Sequence, residues 1–554
     1  MGMSSVDGVI VVNHLSFSWP DGTPVLDGVT GVFGAGRTGL VGLNGAGKTT
    51  LLRLIAGELT PTSGAVTVQE SVAYLPQTIA LSRDRTVADL LGVGDAIRAL
   101  RAIERGKTDP ALFDAVGSDW DVEDRAARML AGLADVGGGL ADVTIDREAT
   151  SLSGGEAMLV AIAGCRLRRC PVTLLDEPTN NLDAVMRGRV LDMIRSWQGA
   201  VVVVSHDVGL LELMDATAEL RDHRLGMVRG GYSQWRHAVE VEQGEALRAQ
   251  ASAEARLREA KRLRSAVMKT HDTSLAQGRR RAVGKGIGKL AQDARRDRAE
   301  ASSSRDRGMA EELLAAARRV LGKAQSRIRD DDRIEVDLPD TVVPSGRRIL
   351  EIDWGRDSHV IIEGPRRVRL SGLGGAGKTT LIERLLRTMS GSVPSGSASA
   401  DASSLVRGRL FTDRVGYLPQ RIGLDGAGLD DNLDAVHNVR LVAPDVPEGE
   451  IRQRLARLLI RGDTALRPAA ELSGGERFRV ALGRLLFSDP PAQLLILDEP
   501  TNNLDRPSVD RFVEAMNGYH GALLLVSHDE DVVSRLGIDL DLRLAGGRIT
   551  VTSL

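Results

Sequence analysis

Short apolar runs alternate with amphipathic segments near both ends of the chain. The runs "TGLV" (38–41) and "VRLS" (368–371) each lead into a glycine-rich turn, which the helix-like segments "LLRLIAG" and "LIERLLR" follow. Other unbroken apolar runs end in "DE" at 176 and 498 or in "SHD" at 205 and 527. Unbroken runs of this length are typical of strands buried on both faces of a parallel sheet. The pattern therefore predicts an α/β fold in which parallel strands alternate with helices.

These segments occur twice in the same order, so the chain contains an internal duplication. "YLPQ" is found at 74 and 417, "LSGGE" at 152 and 472, and "LDEPTNNLD" at 175 and 497. The segment between the copies matches neither of them. We therefore predict a first domain over 1–235, a linker over 236–332 and a second domain over 333–554.

Two glycine-rich loops fit the phosphate-loop pattern of Gly, four residues, Gly-Lys-Ser/Thr: "GLNGAGKTT" (42–50) and "GLGGAGKTT" (372–380). Between a strand and a helix, such a loop closes its backbone N–H groups around phosphate oxygens. A glycine-rich turn without a ligand is the weaker alternative, because the pattern occurs twice in the same setting. The predicted ATP-binding residues are Asn44, Gly45, Gly47, Lys48, Thr49, Thr50, Gly374, Gly375, Gly377, Lys378, Thr379 and Thr380. Of these, Thr49 and Thr379 are also expected to hold Mg²⁺.

Acidic pairs end two of the apolar strands, at the edge of a parallel sheet where ligands bind. We expect Asp176 and Asp498 to hold Mg²⁺ through water, and Glu177 and Glu499 to activate the attacking water as general bases. An acidic strand-to-loop cap is the alternative. It does not explain why a histidine follows each Asp after 30 residues, on the next apolar strand. These histidines, predicted to contact the γ-phosphate, are His206 and His528.

Composition sets broad limits on the class of protein. A chain of 554 residues has room for two or three domains, and its net charge of −3 gives no overall sign of nucleic-acid binding. No apolar run approaches the roughly 18 to 20 residues that span a bilayer, and the first residues do not resemble a signal peptide. We expect a cytoplasmic protein. Cys165 and Cys170 have no histidine at metal spacing and are expected to be buried small residues.

The linker differs from both copies in its helix-forming composition and in its charge. A helical hairpin with arms of about 35 residues, each reaching on the order of 50 Å, is predicted. Residues 261–298 carry an excess of nine positive charges and contain no aromatic residue. Charge of this density attracts phosphate backbones without reading their sequence, although a solvated linker kept extended by its charges is the alternative. The predicted RNA-binding residues are Arg279, Arg280, Arg281, Lys285 and Lys289.

Together, the repeated motifs resemble the ATP-binding-cassette superfamily, and this resemblance implies further roles. In that superfamily the "LSGGE" signature lies across a dimer interface, against the nucleotide held by the other copy. Each ATP is then expected between one phosphate loop and the opposite signature, within an intramolecular dimer of a monomeric chain. The resemblance adds Trp19 as an aromatic stacked on adenine, Gln77 and Gln420 as contacts to ATP and Mg²⁺, and the signature residues Ser153, Gly154, Gly155, Ser473, Gly474 and Gly475. Trp354 is a weaker counterpart of Trp19 in the second copy.

Duplicated cassettes joined by a charged helical linker resemble the ABC-F family of ribosome-associated ATPases. The family usually has "TNHLD", whereas this chain has "TNNLD" in both copies. The resemblance implies that the linker enters the ribosomal tRNA exit site and points at the peptidyl-transferase region. Family members either protect ribosomes from large-subunit antibiotics or regulate translation, and we favour protection. A fused ATPase pair of a membrane importer and a DNA-associated clamp ATPase are the rival functions.

Two local differences between the copies bear on function. The first copy has 23 additional residues within 102–126, which are either a short ribosome-contacting arm or an ordinary acidic loop. Its signature helix also lacks the basic residue that the second copy has at Arg477, so the two sites are expected to turn over unequally.

Overall fold

The computed structural model describes residues 9–68, 71–79, 85–134, 143–180, 182–282, 289–327, 338–355, 358–373, 375–387, 406–420, 428–502 and 504–554, without the side chains of 134, 270–303 and 339. The chain divides into two compact units. One combines residues 1–232 with 332–554, and the other is the segment 233–331. The larger unit holds both sequence copies.

The first copy is built on two sheets. The strands described are β1 (Ile10–Ser18), β2 (Pro24–Phe33), β3 (Arg37–Val41), β4 (Ser63–Val68), β5 (Val72–Leu75), β6 (Val172–Asp176), β7 (Ala200–Val204), β8 (Ala216–Arg221) and β9 (Arg224–Arg229). Strands β5-β6-β7-β3-β8-β9 form one sheet in that order, parallel except for the antiparallel pair β8 and β9. Strands β2-β1-β4 form a separate antiparallel sheet. The central strands β6 and β7 are buried at all five positions, as expected for strands covered on both faces.

Helices cover the sheets of the first copy. They are α1 (Lys48–Ile55), α2 (Val87–Leu90), α3 (Gly94–Glu104), α4 (Pro110–Val116), α5 (Val122–Ala134), α6 (Gly154–Leu167), α7 (Ala184–Arg195) and α8 (Val208–Leu211). Helix α1 buries Leu51, Leu52 and Ile55 in the core between the two sheets, where Phe33 and Val202 also pack. This packing fixes the loop that precedes α1 against the end of β3.

The second copy repeats this arrangement. Its strands are β10 (Arg348–Gly355), β11 (Ser358–Glu363), β12 (Arg367–Ser371), β13 (Arg407–Leu410), β14 (Val415–Leu418), β15 (Leu494–Asp498), β16 (Ala522–Val526), β17 (Leu540–Ala545) and β18 (Arg548–Ser553). The sheet orders β14-β15-β16-β12-β17-β18 and β11-β10-β13 match those of the first copy. The helices described are α11 (Lys378–Arg387), α12 (Ala435–Arg440), α13 (Glu448–Arg457), α14 (Gly474–Leu486), α15 (Arg506–Asn517) and α16 (Glu530–Arg535). The predicted α/β class with duplicated parallel sheets is confirmed.

Two long helices make up most of the segment between the copies, α9 (Tyr232–Ala282) and α10 (Lys289–Gln325). Helix α9 has 51 residues, more than the predicted arm of about 35, and it begins at Tyr232, before the expected boundary at 235. Its small residues Ala246 and Ala253 are buried, as are Ala310 and Leu314 on α10. Leu313 and Val320, which share a helical stripe in the sequence, are instead 45% and 43% exposed. Within the parts of the chain described, no helix has the length and apolar character needed to cross a bilayer.

Candidate functional site

The first phosphate loop lies between β3 and α1 and is held in shape by its glycines and by its lysine. Gly47 has φ 94°, and a Cβ atom there would lie 2.8 Å from the Leu26 side chain. Lys48 is 7% exposed, and its Nζ donates to the carbonyl oxygens of Gly42 at 2.8 Å and Leu43 at 3.0 Å. Burial lowers the pKa of Lys48. No side chain caps α1, so its first N–H groups remain available to an anion.

The second phosphate loop has the same geometry and is more open. Lys378 donates to the carbonyl oxygens of Gly372 at 2.8 Å and Leu373 at 3.2 Å, and it also lies 3.4 Å from His528 Nε2. Burial lowers its pKa, although its side chain is only half-buried. A Cβ atom at Gly377 would meet no atom within 4 Å. The first loop is therefore packed more tightly than the second; Gly374 lies outside the described residues.

Two aspartates are buried where β6 and β15 end. Asp176 and Asp498 are each 1% exposed, and burial raises the pKa of both carboxyl groups. Asp498 accepts a hydrogen bond of 2.8 Å from Thr379 Oγ1. Among the described residues, neither carboxylate oxygen of Asp176 has a hydrogen-bond partner of normal geometry. A buried carboxylate left in this state fits a site for a hard cation, whose preferred ligands are oxygens.

Each aspartate is followed by a glutamate in a strained backbone conformation. Glu177 and Glu499 have φ 50° and 48°, in the left-handed region that non-glycine residues rarely adopt. Such strain costs on the order of 1–3 kcal/mol and persists only where the surrounding structure imposes it. It turns the glutamate toward the histidine of the same copy, with His206 Nε2 at 3.3 Å from Glu177 Oε1 and His528 Nε2 at 3.4 Å from Glu499 Oε1.

Burial shifts the pKa values of the glutamate and the histidine of each pair in opposite directions. It raises the pKa of Glu177 to about 8 and that of Glu499 to about 7. It also lowers the pKa of His206 to about 3 and that of His528 to about 4. The imidazoles are therefore neutral at physiological pH, and the glutamates are poised to exchange a proton there.

One cavity of about 1160 Å³ brings these residues together. It is lined by both loops, both acidic pairs, both histidines, Gln77, Gln420 and Trp19. Trp19 is 36% exposed and packs edge to face on Phe17, with ring centroids 5.1 Å apart. Trp354 instead packs half-buried against the core of the second copy and does not line this cavity.

The signature residues lie at the starts of helices α6 and α14. Ser153 accepts from the backbone N–H of Glu156 at 3.3 Å, and Ser473 accepts from that of Glu476 at 3.4 Å. The glutamate carboxylate of each pair accepts a hydrogen bond from the serine N–H, which completes a capping box. The described residues 153–155 and 473–475 are not part of the cavity lining. Their expected placement against the opposite phosphate loop therefore stays a prediction.

One contact between the copies was not foreseen from the sequence. The backbone N–H of Asn44, in the first loop, donates to Asp505 Oδ2 at 2.9 Å, across 461 positions. Asp505 also caps α15 by accepting from the Ser508 N–H at 3.0 Å. Although burial opposes ionisation, these two bonds hold the pKa of Asp505 below its usual value. The sequence feature that could have indicated this contact is the last Asp of "PTNNLD", which recurs at 183 and 505.

The structure locates the predicted RNA-binding residues only in part. Residues 279–281 lie within α9 and Lys289 begins α10, but their side chains are not described. Lys285 is outside the described residues. The additional segment of the first copy forms the end of α3, α4 and the start of α5, and it exposes Phe113 and Trp120 by 40% and 50%.

Comparisons with known proteins agree with this architecture. The family model described as "ABC transporter" matches residues 29–180 and 356–502. The tylosin resistance ATP-binding protein TlrC of Streptomyces fradiae is 32% identical over 97% of this chain and 95% of its own length. ABC transporter F family member 5 of Arabidopsis thaliana is 26% identical over 96% of this chain and 72% of its own.

A solved structure extends the likeness to the fold. The archaeal ribosome recycling factor aABCE1, in complex with the ribosomal stalk protein aP1, superposes with a TM-score of 0.50 at 17% identity. The likeness covers 98% of this chain and 89% of that one. The two matched cassettes and a relative above 30% identity along nearly its whole length lead to one assignment: the chain belongs to the ABC-F family of ATP-binding-cassette ATPases.

Proposed function

We propose that this ATPase binds ribosomes in the cytoplasm and protects them from antibiotics that act on the large subunit. The observation that carries the proposal is the similarity to the tylosin resistance protein, which spans nearly the whole of both chains. The basic linker is the part that we assign to ribosomal RNA and tRNA, at the tRNA exit site and the peptidyl-transferase region. The chain acts as a monomer whose two copies pair with each other.

ATP binds at both phosphate loops in this proposal. Lys48 and Lys378 exchange their bonds to loop carbonyls for bonds to phosphate oxygens, since an ammonium group carries three donors. Trp19, which lines the cavity, stacks on adenine at the first site. The signatures at Ser153 and Ser473 close over the nucleotide of the opposite copy when the cassettes come together.

The buried aspartates would hold Mg²⁺, with Thr49, Thr379, Gln77 and Gln420 as further oxygen ligands. The carboxylate oxygens of Asp176, which have no hydrogen-bond partner of normal geometry among the described residues, support this assignment. When bound, Mg²⁺ neutralises the charge that develops on the transferred phosphoryl group.

Glu177 and Glu499 accept the proton of the attacking water, as general bases. Their raised pKa values, caused by burial, match a group that takes up a proton near neutral pH. His206 and His528, neutral and in contact with these carboxylates, orient them and contact the γ-phosphate.

Glu177→Gln combined with Glu499→Gln tests the catalytic part. Glutamine keeps the size and the hydrogen-bonding reach but cannot accept the proton, so we expect ATP turnover to stop while ATP stays bound. ATP hydrolysis and co-sedimentation with ribosomes are measured together, and the trapped variant should sediment with ribosomes. Glu450→Gln, at an exposed glutamate in the first turn of α13, is the matched control. Normal turnover in the double variant would disprove the assignment of both bases.

Neutralising Arg279, Arg280, Arg281, Lys285 and Lys289 tests the RNA contact. Each phosphate contact that is lost should reduce the magnitude of the slope of log affinity against log salt by about 0.7–0.9, so the loss of all five should reduce it by up to about 4.5. ATP binding should not change. The control neutralises an equal number of exposed cassette residues outside the additional segment of the first copy and the linker, Arg224, Arg229, Arg440, Arg457 and Arg548. An unaltered salt dependence in the first variant would exclude linker–RNA contacts.

Drug susceptibility decides between protection and regulation. Expression in a sensitive host should raise the inhibitory concentration of a macrolide, lincosamide or pleuromutilin. Both the glutamate pair and the five linker substitutions should remove this effect. If no such drug is tolerated better while the trapped variant still binds ribosomes and stops translation, the protein is a translation regulator. Recovery with membranes instead of ribosomes would support the importer alternative.

A further inference from the structure

Helix α15 starts with two adjacent charged residues whose side chains reach different partners. Asp505, the N-cap, holds the Asn44 N–H of the first phosphate loop at 2.9 Å. Arg506, the first helical residue, donates to Asp531 Oδ2 at 2.6 Å and lies 3.5 Å from Asp510 Oδ1. Asp505 is 7% exposed and the Arg506 side chain 11% exposed, so both contacts are largely removed from water.

Arg506 also contacts the first residue of the linker helix. Its guanidinium carbon lies 5.9 Å from the ring centroid of Tyr232, which is 5% exposed and begins α9. This is the geometry of a cation–π contact, which is stronger when both partners are desolvated. The Nε of Arg506 is buried and donates no hydrogen bond among the described residues. The guanidinium of Arg506 therefore makes a hydrogen bond to a carboxylate and also contacts the aromatic ring.

Among the described residues, the contact between the first helical residue and an aromatic ring occurs in one copy. Ala184 occupies the corresponding position after Asp183 in the first copy and has no side chain that could reach so far. Helix α7, which begins at Ala184, therefore has no counterpart of the Arg506 contact. Tyr232 therefore contacts the start of α15, and no equivalent contact to the start of α7 is found among the described residues.

We propose that Arg506 is a positioning residue that couples the first phosphate loop to the first turn of helix α9. Asp505 and Arg506 are consecutive residues at a helix start, so a displacement of one carries the other with it. ATP that orders the first loop fixes Asp505 through Asn44, and this keeps Arg506 against the Tyr232 ring. The inference rests on the proposed function, in that ATP binds at this loop.

Amide hydrogen exchange of the full-length chain tests the coupling. The Glu177→Gln/Glu499→Gln background prevents turnover, and peptides covering 42–55 and 232–245 are followed with and without Mg²⁺ and ATP. We expect ATP to slow exchange in both peptides, by about two- to fivefold at the start of α9, the factor for a cation–π contact of ordinary strength. Adding Arg506→Ala or Tyr232→Leu should abolish the ATP effect on 232–245 and leave that on 42–55. Arg506→Lys, which loses the planar guanidinium, should reduce it, and Tyr232→Phe, which keeps the ring, should retain it.

The matched control is Arg535→Ala. Arg535 pairs with the same carboxylates as Arg506, at 2.6 Å from Asp510 and 3.3 Å from Asp531, but makes no ring contact with Tyr232 in the described structure. This variant should therefore keep the ATP effect on 232–245. If ATP protects 42–55 but not 232–245 in the parent, or protects 232–245 equally in Arg506→Ala, the coupling is refuted while ATP binding stands. If ATP protects neither peptide, the proposed ATP site fails, and the coupling with it.

Discussion

Asp505→Ser isolates the contact between the second copy and the first phosphate loop. Serine is a good N-cap and should still accept from the Ser508 N–H, so α15 keeps its start. It is too short to replace the 2.9 Å bond to the Asn44 N–H. What the substitution removes is therefore one charge-assisted hydrogen bond that is little screened by water, because Asp505 is 7% exposed.

The size of the effect follows from the class of bond. A hydrogen bond to a charged group contributes about 1.5–3 kcal/mol, and about 1.4 kcal/mol corresponds to a factor of ten. The Asn44 amide should therefore exchange about 10- to 150-fold faster in Asp505→Ser than in the parent. Asp505→Ala should add a lost cap, which costs about 1 kcal/mol more and appears in peptides from α15.

Hydrogen exchange resolved at the Asn44 amide, in the protein without nucleotide, is the assay. Asp505→Asn keeps an acceptor but removes the charge, and it should give an intermediate rate. Exchange at Asn44 that is equally slow in the parent and in Asp505→Ser would show that the bond does not stabilise the loop, and the reasoning would be wrong.

The same contact has a defined pH dependence. Hydrogen bonds from Asn44 and Ser508 hold the pKa of Asp505 below its usual 3.8, against the effect of burial. A carboxyl group with a lowered pKa in the folded state contributes stability that is complete above its unfolded pKa and is lost as the pH falls through the folded pKa. After correction for intrinsic exchange, the protection of Asn44 should be constant between pH 7 and about 5 and decline only below the usual pKa.

Three further predictions use differences between or within the copies. Gly47→Ala should weaken ATP binding more than Gly377→Ala. Both substitutions place alanine at a positive φ, near 94° and 92°, but only the first also brings a Cβ atom to 2.8 Å from Leu26. Equal losses of ATP affinity would contradict this prediction. Phe512→Ala should destabilise the second copy by about 3–5 kcal/mol, since this ring is 0% exposed. Leu466→Ala, at a residue that is 47% exposed, should cost less than about 0.5 kcal/mol. Both free-energy changes are measured from urea unfolding, with hydrogen exchange of α15 peptides as the probe. Arg477→Ala should accelerate exchange about tenfold in the turn before the second signature, because Arg477 donates at 2.6 Å to both the Ala469 carbonyl and Asp431; an unchanged rate would mean that the pairing is not stabilising.

Local patterns were sufficient for the fold class and the family. The unbroken apolar runs that end in Asp176 and Asp498 predicted buried parallel strands, and β6 and β15 are buried along their whole length. The recurrence of five motifs in the same order predicted two copies of one domain, and the two sheets have matching strand orders. These inferences succeeded because strand burial and motif order are properties of short segments, which need no knowledge of distant partners.

The sequence also placed the cavity-lining residues in each copy, although their roles in ATP binding and hydrolysis stay predictions. Both lysines, both acidic pairs and both histidines follow strands of one sheet in each copy, so their meeting follows from strand order. The burial that raises the pKa of Glu177 and the left-handed φ of Glu499 cannot be predicted from the local sequence. They arise from how the surrounding sheet and loops pack around these side chains.

Contacts between the copies were decided by the tertiary structure alone. Asn44 meets Asp505 across 461 positions, and Arg506 lies on Tyr232 although no local pattern links the two residues. The position of the signatures outside the cavity lining also could not be predicted from local sequence, because it depends on how two similar domains pack rather than on either domain's sequence. A repeated motif determines each domain's fold through short-range packing, whereas the contacts at their junction depend on single side chains, such as Arg506, that differ between the copies.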